Sequence, residues 1–420
     1  MTDVREQLER EAREAAAALP ALADDSVAAA LGEICMLLRE RAPAVLAANR
    51  ADVDAAEGRL DAGALDRLRL DDARLAAIGD QVHELAALPP LERDVAEWTA
   101  DGGLRVRERR IPVGVVGANF EARPNVAIDI AGQLLKSRNA GLLRTGGAAL
   151  QTVTALVDEV VRPALERAGL PPGAVGLVRS PDREGARALV SLPHLVPLVI
   201  LRGSGETTAA LAQLAAEHGV RTLAHAEGGG ALFVDAAADA GRAAAIVEAS
   251  LDRLGVCNRL NLLLVDRAAA GLLPALLAAA ERAGVEPRGT ERAARVAAVA
   301  PLDVPLRHEW ANDAEHVATV TVDVVDDLAD ALRLANEETS GLAAGIVTDD
   351  ADAATRFLDG YRGTVAFWHA PTRFTDGYAL TGAPETGINV DSVPGPRGPV
   401  TYRDLWLRQY VVVGDGTQRR

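Results

Sequence analysis

Residues 103–120 read GLRVRERRIPVGVVGANF, and at this stretch the chain changes from a helical to a strand pattern. Before it, apolar residues recur at helical spacing in residues 26–56 and 68–88, and two consecutive prolines at 89–90 end that region. The glycine pair at 102–103 predicts a turn, and the alternation and β-branched run that follow predict strands. The stretch therefore separates a helical N-terminal region from a region built on strands.

From there to about residue 240, short apolar runs alternate with helical stretches. The candidate strands of this block are residues 141–145, 176–179, 195–203, 221–228 and 231–235. A second block runs from about residue 243 to 390, with candidate strands at 261–265, 317–325, 345–348 and 364–368, and a further strand lies in the tail, 402–416. Such alternation indicates parallel βαβ units, so we predict the α/β fold class.

The sequence has 420 residues, with 44 lysine and arginine residues against 60 aspartate and glutamate residues, and a formal net charge of −16. At roughly 100–200 residues per domain, this length predicts two or three domains. A hydrophobic fraction of 49% and a charged fraction of 25% exclude a wholly disordered chain. The acidic excess argues against a nucleic-acid partner, because phosphate backbones attract net positive charge.

The N-terminus is charged and has no apolar signal-peptide core, and no run approaches 18 uninterrupted apolar residues. We therefore expect no membrane partner and a cytoplasmic location. Two distant cysteines do not make a disulfide framework in a chain of this length. Together with seven scattered histidines they offer no ligand spacing, so no metal is expected.

Glycine turns follow several candidate strands, at residues 144–147, 202–206 and 227–230. The G-x-G-x-x-G fingerprint is absent, because the first strand carries GVVG at 114–117. Glycine after a parallel strand lets a ligand approach the backbone and exposes helix amides to a phosphate. Each turn taken alone is also explained as a tight loop, so both interpretations stay open.

The two cysteines stand in different surroundings. Cys35 lies on an apolar helical face, which is typical of an inert buried cysteine. Cys257 lies in GVCN, residues 255–258, directly before an apolar strand. A turn at a strand edge can expose a thiolate and direct a backbone N–H at an oxyanion. Cys257 is therefore a candidate nucleophile, with a small buried hydrophobe as the alternative.

Two polar motifs follow candidate strands. EARPN, residues 121–125, offers Arg123 and Asn125 as a cation and an amide donor, and TRFTDG occupies residues 372–377. His369 stands just before the second motif and is either a ligand or a structural histidine. Parallel sheets hold ligands at the carboxyl ends of their strands, which favours a binding role for these motifs. Solvated loops are the alternative.

EARPNV, GVCN and TRFTDG in this order, with VLAANRADVDAA at 45–56 and LKSRNAGLLRTGG at 135–147, resemble the gamma-glutamyl phosphate reductase family. This family is a branch of the aldehyde dehydrogenase superfamily, and the resemblance runs nearly end to end. It implies an aldehyde dehydrogenase-like fold with a Rossmann-type domain that binds NADP at residues 1–98 and 112–240. It further implies a catalytic domain at 241–390 and a β oligomerisation flap from 99–111 and 391–420.

The resemblance also implies a reaction. Cys257 would attack an acyl phosphate, phosphate would leave, and a thioester would form. NADPH would then reduce the thioester to the aldehyde. The Cys257 backbone N–H and the Asn125 side chain would stabilise the oxyanion. Homodimers or homotetramers are the implied assembly, and an upstream acyl kinase is an implied partner, with proline biosynthesis as the pathway of the family.

By motif position the resemblance assigns cofactor binding to Arg144, Gly147, Gly203, Ser204, Glu206 and Glu315, and substrate binding to Glu121, Arg123, Lys136, His369, Thr372 and Arg373. Arg144 falls where the superfamily carries a basic residue for the adenosine ribose or its 2′-phosphate. Residues 203–206 resemble a Gly-Ser-x-Glu turn beside the cofactor phosphates. Lys136 is the only lysine of the sequence, which suggests that arginine cannot replace it there. A helix-end lysine without a function is the alternative.

The chain departs from the family near the candidate nucleophile. It reads GGGA at 228–231, where the family carries a cysteine and a histidine, and EASLDRLGVCN at 248–258, where the family carries further polar groups. These changes suggest retained thioester chemistry on an altered acyl group. An aldehyde dehydrogenase with another acyl acceptor and a paralogue without catalysis are the two alternative functions.

Overall fold

The computed structural model describes residues 2–100, 103–203, 205–225, 228–310, 318–391 and 395–415. The chain divides into two compact units. The first comprises Met1–Ala224, Ala383–Gly387 and Val400–Arg420, and the second comprises His225–Gly382 and Ile388–Pro399. The division after residue 224 lies 16 residues before the boundary predicted at 240, and the functions assigned to the predicted domains stay predictions.

The first unit begins with helices, which confirms the predicted helical region: α1 Thr2–Ala18, α2 Asp24–Glu40, α3 Ala42–Ala56, α4 Ala62–Leu68 and α5 Asp72–Ala87. Their apolar positions recur at helical spacing and are buried together. One shared cluster contains Leu31, Ile34 and Leu38 of α2 and Leu75, Ile78 and Val82 of α5. Tertiary packing of these faces stabilises the helices.

A five-stranded sheet follows in the first unit, in the order β5-β4-β3-β6-β7. Its strands are β3 Val115–Phe120, β4 Ala140–Thr145, β5 Val175–Leu177, β6 Leu198–Arg202 and β7 Arg221–His225. The helices between them are α6 Pro124–Lys136, α7 Leu150–Ala155, α8 Arg162–Arg167, α9 Arg183–Leu189 and α10 Gly205–His218, and a π-helical segment, Leu156–Val161, joins α7 to α8. Strands β3 to β6 pair in parallel, and every residue of β3 and β4 is buried, as expected for a sheet covered on both faces.

A separate antiparallel sheet joins distant parts of the first unit. It contains β1 Asp94–Ala100, β2 Leu104–Pro112 and β17 Trp406–Val413, with β2 in the centre. Strand β17 pairs with β2 along its whole length, from Trp406 opposite Pro112 to Val413 opposite Arg105. The predicted C-terminal strand is therefore confirmed.

The second unit contains a seven-stranded sheet in the order β11-β10-β12-β9-β8-β13-β14, and its recorded pairings are parallel. The strands are β8 Gly230–Val234, β9 Leu260–Asp266, β10 Glu286–Gly289, β11 Ala300–Pro301, β12 Thr319–Val325, β13 Ala343–Val347 and β14 Val365–Trp368. The helices are α11 Ala240–Ser250, α12 Leu273–Arg282, α13 Glu291–Ala294, α14 Leu328–Glu337, α15 Ala351–Gly360 and α16 Gly377–Thr381. Strands β15 Gly387–Asn389 and β16 Gly398–Val400 form a two-stranded sheet. The predicted α/β class is confirmed, and among the described residues no helix is long and apolar enough to cross a membrane.

A buried carboxylate in the middle of β12 depends on one arginine. The Asp323 side chain is 2% exposed and accepts from Arg292 of α13, whose Nη1 also donates to Asp330 at 2.7 Å. These contacts raise the pKa of Arg292, with the hydrogen bond that it donates to Asp323 as the main cause. Removal of Arg292 would leave a buried charge without its cation.

We predict that Arg292→Met lowers the free energy of unfolding by about 2 kcal/mol or more, below the ~3–5 kcal/mol of a fully buried pair because Arg292 is partly exposed. Arg295→Met is the matched control, because Arg295 faces solvent on the same segment and meets Glu291 at 3.7 Å. The control should change stability by no more than about 0.5 kcal/mol. Urea denaturation measures both, and equal effects would contradict the prediction.

Candidate active site

Cys257 lies in the turn between α11 and β9, as the sequence predicts, and it is half-buried and not part of a disulfide. The side chain packs beside Leu342, Ala343 and Phe367. Cys35 differs: it lies on α2, its Sγ donates to Gly79 O at 3.4 Å, and burial raises the pKa of its thiol. Of the two cysteines, Cys257 alone stands at a strand edge.

The backbone of the glycines at 228–230 packs closely against the cysteine turn. Gly229 N–H donates to Cys257 O at 2.6 Å. A Cβ on Gly228 would lie 2.5 Å from Cys257 Cβ, and a Cβ on Gly230 would lie 2.6 Å from Thr372 Cβ. Glycine is required here because a side chain would displace the cysteine turn. The sequence left open whether residues 227–230 form a ligand-binding loop or a tight loop. In the structure, the described glycines of this segment pack against the cysteine turn.

A β-bulge follows the cysteine. The pairing of β8 with β9 passes from Gly230 opposite Leu260 to Ala231 opposite Leu262, so Asn261 is the extra residue. Its side chain donates to His308 O at 2.8 Å and accepts from Trp310 N at 3.0 Å. Bulges redirect neighbouring side chains and recur beside active sites.

Asn258, the residue after the cysteine, fastens the turn to residues 372–375. Its Nδ2 donates to Arg373 O and to Thr375 O, both at 3.0 Å, and its Oδ1 accepts from the Arg373 guanidinium. Its own backbone oxygen accepts from Thr372 Oγ1 at 2.9 Å. Asn258 is 7% exposed, so these bonds form with little competition from water. The network fixes the position of the residue that precedes it.

In the first unit, EARPN forms the turn between β3 and α6. Arg123 Nε lies 2.9 Å from Glu121 Oε1, and Pro124 occupies the first turn of α6, where its missing N–H costs nothing. Asn125 Nδ2 donates to Asp129 Oδ2, one helical turn on, at 3.2 Å. The turn therefore gathers Glu121, Arg123 and Asn125 at the carboxyl end of β3.

Arg144, near the end of β4, provides a test of whether the first unit fits a dinucleotide. It is 8% exposed, and its guanidinium donates to Asn119 Oδ1 at 3.2 Å and to Asp182 O at 2.9 Å. Burial lowers the pKa of this guanidinium. Its buried Nε has no hydrogen-bond partner among the described residues. A buried donor of this kind fits a ligand oxygen.

A cavity of about 590 Å³ lies beside the same segment, and its lining includes Gly147, Gln151, Pro181 and Arg59, which follows α3. A Cβ on Gly147 would lie 3.1 Å from Pro181 Cβ, so glycine keeps this wall open. The volume lies within the range of ligand pockets. Together with Arg144, the cavity fits the ribose and phosphate end of a nicotinamide cofactor.

Comparison with known proteins identifies the family. The model of the "Aldehyde dehydrogenase family" matches residues 106–302 and 302–396. The gamma-glutamyl phosphate reductase of Caulobacter vibrioides is 37% identical over 417 residues, which cover 98% of each chain. The chain belongs to the gamma-glutamyl phosphate reductase branch of the aldehyde dehydrogenase family. The family resemblance is thereby confirmed.

Solved structures agree with this family and its fold. The crystal structure of gamma-glutamyl phosphate reductase from Thermotoga maritima has a TM-score of 0.92 and 28% identity, over 99% of this chain and 100% of that one. An engineered glycolyl-CoA reductase with bound NADP+ has a TM-score of 0.69 and 16% identity, over 97% of this chain and 96% of that one, and shares the fold alone. The aldehyde dehydrogenase-like fold is confirmed, and a relative with this fold binds a nicotinamide cofactor.

His369 is not brought to the cysteine, although the family resemblance predicted a substrate contact. It follows the carboxyl end of β14, whereas Cys257 precedes the amino end of β9. Because these strands belong to one parallel sheet, the two residues lie at opposite ends of its strands. His369 Nε2 accepts from Thr348 N at 3.3 Å, and the residue has φ 57° at a chain reversal. This placement gives His369 a structural role in the chain reversal that follows β14.

Thr372 and Arg373 do reach the cysteine turn, with different consequences. Thr372 is fully buried, and its N–H donates to Ser250 Oγ at 3.2 Å. Its hydroxyl also donates to Asn258 O, so these contacts give Thr372 a structural role, and its substrate contact stays a prediction. Arg373 Nε donates to Asp252 Oδ1 at 2.6 Å, and the guanidinium stays partly exposed. A substrate contact by Arg373 stays a prediction.

Lys136 also departs from its predicted place among substrate ligands. Its Nζ donates to Ala86 O at 3.1 Å and to Leu88 O at 2.5 Å, at the C-terminal end of α5, and lies 5.9 Å from the Tyr402 ring centre. The residue is 5% exposed, and burial lowers the pKa of its ammonium. These contacts favour a structural role, which the bulkier fork of arginine would not fit.

Of the predicted cofactor residues, Gly203 follows β6 and Glu206 lies in the first turn of α10. Ser204 and Glu315 lie outside the described residues.

Sequence reasoning missed Asn258 and Asp129. The spacing of Asn125 and Asp129, four residues apart on a helix, was the available signal for the second of them.

We predict that Gly228→Ala reduces reductase activity at least tenfold, because the new Cβ displaces Cys257 and a misplacement of about 1 Å can cost ~100-fold. Gly271→Ala is the matched control in the same unit, since no atom lies within 4 Å of its added Cβ. Steady-state kinetics of both variants, with thermal denaturation, measures the effect. Wild-type kinetics in Gly228→Ala would contradict the prediction.

Proposed function

We propose that this chain reduces gamma-glutamyl phosphate, or a closely related acyl phosphate, to the aldehyde through a thioester on Cys257. The observation that carries the proposal is a half-buried cysteine, outside any disulfide, in a turn packed closely against the backbone of Gly228 and Gly229. The relatives that are 32–38% identical over nearly the full chain, which are named gamma-glutamyl phosphate reductase, support the substrate.

The Cys257 thiolate attacks the carbonyl carbon of the acyl phosphate and forms the C–S bond. The carbonyl electrons move onto oxygen and return as the C–O bond to phosphate breaks, so phosphate departs with the bonding pair and a thioester remains. We assign the oxyanion to the Cys257 backbone N–H, with the Asn125 side chain as the second donor implied by the family. The hydrogen bond from Gly229 to Cys257 O helps to fix the local backbone.

A nicotinamide cofactor, when bound, supplies the hydride that reduces the thioester. Arg144, Gly147, Gly203 and Glu206 are the described residues that we assign to hold it, with Ser204 and Glu315 as further predicted contacts. We propose NADPH over NADH. The support is the cation at Arg144, whose buried Nε suits a ribose oxygen or a 2′-phosphate. Glu121, Arg123 and Arg373 are the proposed substrate contacts.

We predict that Cys257→Ala abolishes phosphate-dependent reduction of NADP+ by glutamate 5-semialdehyde, a loss of at least ~1,000-fold because no other group replaces the thiolate. Cys35→Ala is the matched control and should keep wild-type kinetics, since Cys35 lies on a helix face bonded to Gly79 O. Spectrophotometry of NADPH formation with and without phosphate measures both. Equal rates in wild type and Cys257→Ala would contradict the proposal, and oxidation without phosphate would favour another acyl acceptor.

We propose further that the chain forms homodimers or higher oligomers through the antiparallel sheet of β1, β2 and β17. Apolar side chains are exposed there: Trp98 at 42%, Tyr410 at 51% and Val412 at 54%. The Trp98 and Tyr410 rings meet edge to face at 5.9 Å. An exposed apolar edge is a template for pairing, and a second copy offers the same edge.

We predict that the double substitution Tyr410→Glu and Val412→Glu shifts the protein to monomer, because buried glutamates would oppose a second copy. Met36→Glu, at a similarly exposed apolar position on α2, should leave the oligomer intact. Light scattering after gel filtration distinguishes the states. A wild-type protein that is already monomeric would contradict this proposal.

An acyl kinase is the proposed upstream partner, because an acyl phosphate arises by phosphoryl transfer to a carboxylate. We place the reaction in the cytoplasm, where reducing conditions keep a catalytic thiol free. Proline biosynthesis is the proposed pathway, as the names of the relatives suggest.

A further inference from the structure

Helix α6 carries a carboxylate that the reaction proposed above does not use. Asp129 is partly buried, and its Oδ2 accepts the hydrogen bond from Asn125 Nδ2 at 3.2 Å. Arg202, the last residue of β6, is the cation whose field acts on it, while Arg202 itself donates to Thr386 O at 3.1 Å. The recorded hydrogen-bond partner of this carboxylate is therefore a neutral amide.

The surroundings of Asp129 favour its protonated form. Burial raises the pKa of Asp129 to about 6, while Arg202 and the hydrogen bond from Asn125 act in the opposite direction. Because the folded-state pKa lies above the unfolded value of 3.8, stability is lost as the pH rises through about 6. An ionised group kept at a cost in stability is typical of functional positions.

We propose that Asp129 is a positioning residue that orients the Asn125 amide for the oxyanion, an inference that rests on the function proposed above. An ionised carboxylate only accepts hydrogen bonds, so it selects the amide orientation that points Nδ2 at Asp129. One N–H of Nδ2 is then engaged, and the other can donate to the oxyanion. A protonated acid or an amide at position 129 both donates and accepts, and it permits the reversed orientation of Asn125.

The test is Asp129→Asn, which keeps the shape and removes the charge. In wild type, kcat should fall as the pH drops through about 6, because the carboxylate becomes protonated. The kcat of the variant should show no such fall at low pH. At pH 8 the variant should lose about tenfold in kcat, keep KM within about twofold, and show a higher Tm. A structural aspartate would give a lower Tm and an unchanged pH profile.

Three further variants sharpen the assignment. Asn125→Ala should cost more than Asp129→Asn, and adding Asp129→Asn to it should have no further effect, because both residues act through one amide. Arg202→Gln should move the acidic limb to higher pH, since the cation that favours ionised Asp129 is removed. Asp24→Asn is the matched control: Asp24 pairs with Arg138 and Arg93, so its loss should lower Tm and leave kcat unchanged.

Wild-type kcat and pH profile in Asp129→Asn would overturn the inference. A rise in KM alone for glutamate 5-semialdehyde, without a change in kcat, would also overturn it, because Asp129 would then contact the substrate ammonium. Full activity in Cys257→Ala would instead overturn the proposed function. The two failures are distinguishable because Cys257→Ala tests the nucleophile and Asp129→Asn tests the orientation of a donor.

Discussion

The close approach of Gly228 and Gly229 to Cys257 is the constraint on which the site of the second unit depends. The Gly229 N–H meets Cys257 O at 2.6 Å, and a side chain on Gly228 would overlap the cysteine. The backbone and Cβ of Cys257 therefore pack against glycine backbone, which has no side-chain rotamers to lose. The bulge at Asn261 and the hydrogen bonds of Asn258 fix the position of the cysteine turn.

Neutral groups provide most of this restraint. Asn258 makes two 3.0 Å bonds to backbone oxygens, and Thr372 closes the network from the opposite side. Buried amides fully bonded in this way rigidify a site without adding net charge beside the thiol. The charged pair Arg373 and Asp252 lies at the partly exposed rim, where a cation is accessible to an anionic substrate.

In the first unit, α6 performs a similar task along its length. Asn125 donates to Asp129, while the Gln133 side chain joins Pro384 O and Tyr402 N, both at 2.6 Å. Lys136, at the other end of α6, donates to carbonyls at the C-terminal end of α5. One helix thereby connects the turn after β3 to the C-terminal segment and to the helical region. Burial disfavours the ionised forms of both Asp129 and Lys136, since it raises the pKa of the carboxyl group and lowers the pKa of the ammonium.

Local pattern predicted most of the longer helices and strands, the α/β class, the turn position of Cys257 and the family, because hydrophobic periodicity and short motifs depend only on neighbouring residues. It did not predict the short strands β10, β11, β15 and β16. Tertiary structure decided the rest. His369 lies at the carboxyl end of the strands because β14 runs parallel to β13. Lys136 donates to Leu88 O because α5 and α6 pack together. The contact between Gly228 and Cys257 and the burial of Asp129 likewise depend on which distant segments meet. Sequence spacing does not record such meetings, since burial, charge and bond partners are set by the folded chain.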